Sequence, residues 1–253
     1  MKKQIKNLYP NFTLLNFIFI SSFLTMLTGQ ECVNAQTLLD PQQIIQNQLR
    51  TDQDKVMDTS RQPLNMLNFI QPKEGMKVLD IFSGGGYTAQ LMAIAVGQTG
   101  QVVAMNLKLN NALQERLLAH PQTNVIPVVA SITELAPGNK NQFDIITIVN
   151  SYHDMVNASP DIAQTNQRIF ELLKPGGVLI IRDHAAATGA GKSVTKTLHR
   201  IEPASVVSDF ESTGLKKVTE GDFLKNPKDP KDVPSSQFKE TSPEGFIFKF
   251  IKP

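Results

Sequence analysis

The stretch VLDIFSGGGYTAQLMA, from Val78 to Ala93, decides the fold. It predicts a short buried strand at 78–82, a glycine turn at 84–86 and the first turns of an apolar helix. A strand that runs through glycines into a helix leaves free backbone N–H groups and the positive end of the helix dipole at one place. That place suits a ligand with a negative or hydrogen-bond-accepting group.

Two classes of cofactor loop fit these glycines. Gly84, Gly86 and Ala89 have the spacing of the dinucleotide fingerprint, which expects an acidic residue about 20 positions later. Asn106 stands there instead. The second class has its acidic residue inside the strand just ahead of the glycines, where this chain has Asp80. A tight turn in any α/β domain is a third interpretation, so the rest of the chain has to decide.

Residues 1–35 are predicted to be a secretory signal peptide. They have a lysine-rich start, an apolar run from about Phe12 to Leu27 and small residues that end at Ala35, the expected cleavage site. An uncleaved anchor is the alternative, but the run is short for a membrane span and Asn16 interrupts it. We therefore expect a periplasmic or secreted protein with no stable membrane span after cleavage.

Cleavage would change both the cysteine content and the charge of the chain. It would remove the single cysteine, Cys32, so that no disulfide could form. It would also leave basic and acidic residues in equal number. A neutral chain without a basic cluster gives no basis for nucleic-acid binding.

Spaced apolar residues between 36 and 71 predict two or three short helices, an N-terminal helical cap over the main domain. Arg50, Asp54 and Arg61 are then candidate cleft residues, or alternatively charges on ordinary solvated helix faces.

Strands and helices are predicted to alternate from 72 to 253. Together with 78–82, the predicted strands are 102–105, 125–129, 144–149, 178–182, 215–220 and 246–251, and the helices after the glycine loop are 110–120, 161–173 and 203–213. Alternation favours a parallel sheet covered on both faces, and the last two strands, which no helix separates, should form an antiparallel pair. The fold class is therefore α/β, a doubly wound seven-stranded and mostly parallel sheet.

Three motifs together resemble the class I S-adenosylmethionine (SAM)-dependent methyltransferases: VLDIFSGGGY, FDIITIVNSYHD at the fourth strand and LKPGGVLIIRDH at the fifth. The combination of GGGY, YHD and DHAA is similar to a group of predicted secreted bacterial methyltransferases. The resemblance implies a Rossmann-like fold over 72–253, SAM as cofactor and a small-molecule substrate. The oligomeric state does not follow from it.

The resemblance also implies where the cofactor lies. The methionine part of SAM would contact the glycine loop, the ribose would contact Asn106, and the adenine would contact Ser131. The implied cofactor residues are Asp80, Ser83, Gly84, Gly85, Gly86, Asn106, Ser131 and Asn150. The chain departs from the family at Asn106 and Ser131, where relatives have acidic residues, and at Phe82, which replaces a glycine. These departures favour weak cofactor binding.

Residues after the fourth strand are expected to lie over the transferred methyl group. His153 is the candidate general base, oriented by Asp154, and Tyr152 is expected to pack on the sulfonium or the adenine. Alternatively, His153 only shapes the floor of the pocket.

Four further residues are candidate substrate ligands: Asp183, His184, His199 and Arg200. In an alternative interpretation Asp183, His184 and an oxygen of Asn150 or Asp154 hold a divalent metal, as in catechol-type methyltransferases. So few carboxylates would bind Mg²⁺ poorly, and we predict no metal.

Two functions remain open. The first is an exported SAM-dependent methyltransferase acting on a small molecule. The second is a non-catalytic secreted ligand-binding protein that keeps the methyltransferase fold, and the changes at Asn106 and Ser131 favour it.

Overall fold

A computed structural model describes residues 37–135 and 137–253. The predicted signal peptide at 1–35 lies outside the described residues, so its cleavage stays a prediction. Among the helices that are described, none combines the length and the apolar character that a bilayer crossing requires.

One sheet runs through the described residues. Its seven strands are β1 (Lys77–Ile81), β2 (Gln101–Asn106), β3 (Val125–Val129), β4 (Phe143–Val149), β5 (Leu173–His184), β6 (Lys216–Gly221) and β7 (Gly245–Ile251). Their order is β3-β2-β1-β4-β5-β7-β6. Strands β1 to β5 are parallel, and β7 runs antiparallel to both β5 and β6. The predicted fold class is confirmed.

Nine α-helices connect and cover these strands in the described part of the chain. They are α1 (Pro41–Ile45), α2 (Asp52–Arg61), α3 (Pro63–Ile70), α4 (Tyr87–Val96), α5 (Asn111–Ala119), α6 (Tyr152–Ala158), α7 (Ile162–Leu172), α8 (Thr195–Leu198) and α9 (Pro203–Glu211). Side-chain caps fix several starts: Thr51 accepts from the Asp54 N–H at α2, and Asn110 accepts from the Leu113 N–H at α5.

Successive residues of the strands contribute side chains to two apolar clusters, one on each face of the sheet. Leu79 of β1 and Ile146 of β4 pack in one cluster with α6, α7 and α9. Val78 and Ile145, their neighbours in sequence, pack in the other with α1, α3 and α4. Because successive strand residues point to opposite faces, near-continuous apolar strands are what a sheet covered on both sides requires.

The predicted limits agree with most elements to within two residues, but two details differ. The short helices α6 and α8 were not predicted. Strand β5 was predicted to begin at 178, but it already begins at Leu173 and includes the LKPGG segment.

The segment predicted as a cap has two different environments. Helix α3 lies in the core, where Met66, Leu67 and Ile70 are buried. Helix α2 lies at the carboxyl ends of the strands, and the carbonyl oxygens of Ser60 and Arg61 accept from Arg182 of β5. Only α2 is placed to cover a site there.

Candidate active site

The loop between β1 and α4 turns the chain sharply at the carboxyl edge of the sheet. Phe82, Gly84 and Gly86 have φ angles of 54°, 56° and 85°, in the left-handed region that glycine adopts without strain. A Cβ on Gly86 would lie 2.6 Å from Cδ1 of Leu113. Phe82 has a side chain in this conformation, which costs energy and is typical of functional loops.

Asn106, the last residue of β2, holds this loop from one side. The Gly84 N–H donates to its Oδ1 at 2.9 Å, and its Nδ2 donates to the Gly84 carbonyl at 3.3 Å. An aspartate here could accept the first hydrogen bond but could not donate the second. Both ends of the amide predicted to face a ribose are therefore engaged by the backbone of the glycine loop.

Arg116 of α5 holds the loop from the other side. Its Nε donates to the Gly85 carbonyl at 2.6 Å, its Nη1 donates to Gln90 Oε1 at 2.7 Å, and its guanidinium forms an ion pair with Asp54 of α2. Burial raises the pKa of Asp54, but the hydrogen bond and charge of Arg116 outweigh burial and hold that pKa below its ordinary value. One guanidinium thus joins the glycine loop, α2, α4 and α5.

A cavity of about 690 Å³ lies beside the glycine loop and beneath α2; we call it the donor cavity. Three buried side-chain atoms at its border have no hydrogen-bond partner within the described residues: Asp80 Oδ2, Ser83 Oγ and Asn150 Oδ1. The amide oxygen Asn150 Oδ1 can only accept hydrogen bonds, and so can Asp80 Oδ2 when its carboxyl is ionised. Unpaired buried acceptors are costly, and this set fits a ligand that brings an ammonium group.

Asp80 is fully enclosed by the protein. Its Oδ1 accepts from Thr147 Oγ1 at 2.7 Å, and burial raises the pKa of this carboxyl to about 6. The hydrogen bond from Thr147 and the charge of Arg61 oppose burial without outweighing it, so the carboxyl is charged at neutral pH at a cost to the fold.

A second cavity, of about 490 Å³, adjoins the first and is here called the acceptor cavity. Met57, Arg61 and Asn150 border both cavities. Arg182 and Lys225 border only the acceptor cavity.

Three basic side chains, Arg61, Arg182 and Lys225, and one buried carboxylate, Asp183, border the acceptor cavity. No ion pair among the described residues includes Arg61, Arg182 or Lys225. Burial lowers the pKa of Arg182 to about 10, so it stays protonated at neutral pH. Burial also lowers the pKa of His184, on the same wall, to about 4, which leaves that ring neutral.

Ser131 lies in a third cavity, of about 300 Å³, with Leu107 and Ile132. Its Oγ donates to Glu134 Oε2 at 2.7 Å. Phe82 borders both this cavity and the donor cavity. The position predicted for adenine contact is therefore adjacent to the donor cavity across Phe82 and not inside it.

His153 is held by Asp183 at Nδ1, while Asp154, the residue predicted to orient it, lies 3.5 Å from its Nε2. Asp183 accepts from the His153 backbone N–H at 2.9 Å and lies 2.7 Å from its Nδ1. Burial lowers the pKa of His153, but the hydrogen bond and charge of Asp183 and the charge of Asp154 outweigh burial and raise it. His153 is 3% exposed and borders none of the three cavities found in the described chain.

Two predicted site residues are placed elsewhere by the structure. Tyr152 is fully buried, donates to Asp209 Oδ2 at 2.7 Å and packs on Phe210, because the first turn of α6 directs it into the core. Arg200 is fully buried in an ion pair with Asp229 at 2.8 Å. Neither borders the donor cavity, the acceptor cavity or the cavity at Ser131, which differs from the predicted cofactor and substrate contacts.

A family model described as "Methyltransferase domain" matches residues 72–227. The chain belongs to this methyltransferase family. The match covers β1 to β6, and thus both the glycine loop and the wall of the acceptor cavity that β5 forms.

Curated methyltransferases are similar over part of their length. The chain is 27% identical over 124 residues to the demethylmenaquinone methyltransferase of Desulfitobacterium hafniense, which covers 48% of this chain and 47% of that protein. It is 32% identical over 111 residues to the ubiquinone/menaquinone biosynthesis C-methyltransferase UbiE of Shewanella pealeana, a match that covers 43% of this chain and 43% of that protein. The matched part is less than half of the length of these relatives.

Solved structures share the fold. A SAM-dependent methyltransferase from Aquifex aeolicus superimposes with a TM-score of 0.58 at 19% identity, covering 85% of this chain and all of that one. An S-adenosylmethionine-dependent methyltransferase from Mesorhizobium loti superimposes with a TM-score of 0.55 at 14% identity, covering 75% of this chain and 97% of that one. Together with the family match, these likenesses confirm the prediction of a SAM-dependent methyltransferase domain.

Sequence reasoning missed some residues of this methyltransferase site and placed others only loosely. Arg116 and Gln90 were not singled out, since a polar residue inside a predicted helix gives no signal of what it contacts. Asp54 and Arg61 were weighed as solvated charges, yet Asp54 is 1% exposed and Arg61 borders both main cavities.

Gly86→Ala is expected to destabilise the domain more than Gly189→Ala. Both glycines have a φ of 85°, but a Cβ at Gly86 would meet Leu113 whereas nothing lies within 4 Å of one at Gly189. Both variants carry the left-handed strain, of the order of 1 kcal/mol; only Gly86→Ala adds the steric clash. Urea unfolding of the two variants measures the difference, and equal losses would show that Leu113 yields without cost.

Asp80→Asn is expected to stabilise the ligand-free domain at neutral pH. The folded pKa of about 6 lies above the unfolded value, so ionisation of Asp80 costs stability, from nothing near pH 4 to the full amount above pH 6. The shift corresponds to about 3 kcal/mol. Urea unfolding at pH 4 and pH 7 should give a gain for the variant only at pH 7.

Asp52→Asn, which removes a fully exposed carboxylate, controls for the loss of one surface charge. A gain for Asp80→Asn of the same size at both pH values would contradict a raised pKa.

Proposed function

We propose that this protein is an exported SAM-dependent methyltransferase whose acceptor is a small ring compound that carries an acidic group. The observation that supports it is the pair of adjoining cavities of opposite character. One has unpaired buried acceptors, the other has unpaired cations, and Met57, Arg61 and Asn150 border both.

The donor cavity fits the methionine part of SAM. Asp80 Oδ2 and Asn150 Oδ1 are acceptors for its amino group, and Gly84 and Gly85 border the cavity without side chains in the way. SAM supplies an electrophilic methyl group on a sulfonium when it is bound. The task of this chain is to hold that group and to place an acceptor against it while α2 covers both.

The acceptor cavity favours an anion with an apolar body. Among the described residues no carboxylate lies within ion-pair distance of Arg61, Arg182 or Lys225, although the charge of Asp183 acts on Arg182. An acidic group in the cavity would pair with these cations. Phe223, Leu224 and Pro243 give the same cavity an apolar wall. Two curated relatives are named as a demethylmenaquinone methyltransferase and a ubiquinone/menaquinone biosynthesis C-methyltransferase, and these names support a ring as this apolar body.

Export rests on the sequence alone. The lysine-rich start, the apolar run and the small residues before position 36 support secretion and cleavage. A neutral mature chain without cysteine is compatible with an oxidising compartment.

A methyl-transfer assay with paired acceptors tests the activity and the acceptor class. Labelled SAM is offered with a panel of hydroxybenzoic acids and the corresponding hydroxybenzamides, which differ in charge but hardly in shape. We expect methyl transfer to the acids and not to the amides. Arg182→Met should raise KM for the acid about 10- to 100-fold, because a charge-assisted hydrogen bond is lost. The same variant should bind S-adenosylhomocysteine like the unaltered protein.

Two controls keep the outcomes apart. Lys249→Met removes a half-buried cation that borders neither cavity and should leave KM unchanged. Asp80→Asn should abolish binding of S-adenosylhomocysteine in calorimetric titration. If the unaltered protein binds neither SAM nor S-adenosylhomocysteine, the methyltransferase proposal fails; if it binds them but prefers the amides, only the acidic acceptor fails.

The intact mass of the protein recovered from the periplasm is expected to begin at Gln36. An intact amino terminus in the cytosolic fraction would overturn export without touching the catalytic proposal. An Ala35→Leu variant should block cleavage, because the peptidase accepts only small residues there.

A further inference from the structure

We propose that His153, Asp154 and His199 bind a divalent first-row transition metal ion such as Zn²⁺, with Asp183 as the carboxylate that orients His153. None of its three ligands is among the residues assigned to bind SAM or the acceptor in the proposed function, although Asp154 borders the donor cavity and Asp183 the acceptor cavity. It also differs from the metal set weighed from the sequence, which used Asp183 and His184 as direct ligands.

The three side chains converge on one point. His153 Nε2 lies 3.5 Å from Asp154 Oδ1, and His199 Nδ1 lies 3.6 Å from the same oxygen. All three ligand atoms lie within 4.8 Å of one another. Tetrahedral ligands about 2.0–2.1 Å from zinc are roughly 3.3 Å apart, so small side-chain adjustments suffice to close a site.

Asp183 makes His153 a prepared ligand. An ionised carboxylate can only accept, so Nδ1 of His153 carries the proton that faces Asp183 at 2.7 Å, and the lone pair of Nε2 is left for a metal. Carboxylate–histidine–metal arrangements fix the ring orientation and raise its basicity. Asp183 is 1% exposed and also accepts from the backbone N–H groups of His153 and His184, so it is rigid and unable to ligate the ion itself.

His199 is brought to the cluster by a defined connection. It follows α8 with φ of 50°, and α8 is joined to α6 by the Thr195 Oγ1 hydrogen bond to Asn157 Oδ1 at 2.9 Å. The rings of His153 and His199 meet edge to face, with centroids 5.4 Å apart. The ligands from two helices are therefore positioned together by contacts that do not depend on a metal.

The ligand chemistry selects the class of ion. Two imidazoles and one carboxylate suit zinc, cobalt, nickel or iron, whereas magnesium and calcium prefer oxygen ligands. About half of the His199 and Asp154 side chains is exposed, so the ion is accessible and has room for water in its remaining positions. Asp154 also borders the donor cavity, which puts the ion at the rim of that cavity.

Metal binding by the untagged full chain tests the site. Isothermal titration with Zn²⁺, with Co²⁺ absorption as a second readout, should give one ion per chain. His199→Asn and Asp154→Asn should abolish it, and Asn tolerates the left-handed backbone at position 199. Asp183→Asn should weaken binding roughly 10- to 100-fold, as loss of an orienting partner does.

His120→Asn is the matched control, because His120 is a histidine outside the cluster, and its variant should bind Zn²⁺ like the unaltered chain. Circular dichroism of each variant checks that the fold is kept, which the exposed side chain of His199 favours. No binding at Zn²⁺ concentrations well above the micromolar range, or binding that survives both His199→Asn and Asp154→Asn, would overturn the proposal. Neither result depends on whether SAM binds.

Discussion

The ion pair between Arg116 and Asp54 is the contact on which the site depends. It lies under the glycine loop, almost out of solvent, and its guanidinium also binds the Gly85 carbonyl and Gln90. A buried charge whose partner is removed costs about 3–5 kcal/mol. Helix α2 contributes no fully buried apolar residue to the core. The ion pair therefore fixes this helix over the carboxyl edge of the sheet.

A second interaction extends the same arrangement along α2. Asp58, one turn after Asp54, accepts from the hydroxyl of Tyr87, the first residue of α4, at 2.6 Å, and from Arg50 at 2.6 and 2.8 Å. The guanidinium groups of Arg50 and Arg61 lie over the Tyr87 ring. Each acid on α2 is thus paired, and Arg61, at its last turn, is the cation left to face both cavities.

The fold could be read from the sequence because it depends on a pattern of many residues. Apolar strands that alternate with amphipathic helices admit few topologies, and the glycine loop marked the first crossover. The site was harder, since it depends on the direction of single side chains. Tyr152, His153 and Asp154 were treated as one row above the methyl group.

In fact α6 begins at Tyr152, and successive residues of a helix point about 100° apart. Tyr152 therefore enters the core, His153 turns to Asp183 and Asp154 reaches the donor cavity. Asn106 borders the donor cavity, so the ribose contact implied by its family position stays a prediction, but the sequence did not indicate that its amide both accepts from and donates to Gly84. A motif locates such residues along the chain but cannot say which neighbour satisfies them.

The opposite character of the two cavities has a physical consequence for how ligands are sorted. Asp80 is an acid in a fully buried position, where the Thr147 hydroxyl and the charge of Arg61 offset burial only in part. Arg182 is a buried cation that donates to two backbone carbonyls, and the charge of Asp183 offsets its burial only in part. Each is costly alone, and each cost is relieved by a ligand of the opposite sign. Because Met57, Arg61 and Asn150 border both cavities, ligands held in the two cavities would lie side by side. The free-energy cost of burying these two charges thus favours one arrangement of two small molecules, with the cationic one beside Asp80 and the anionic one beside Arg182.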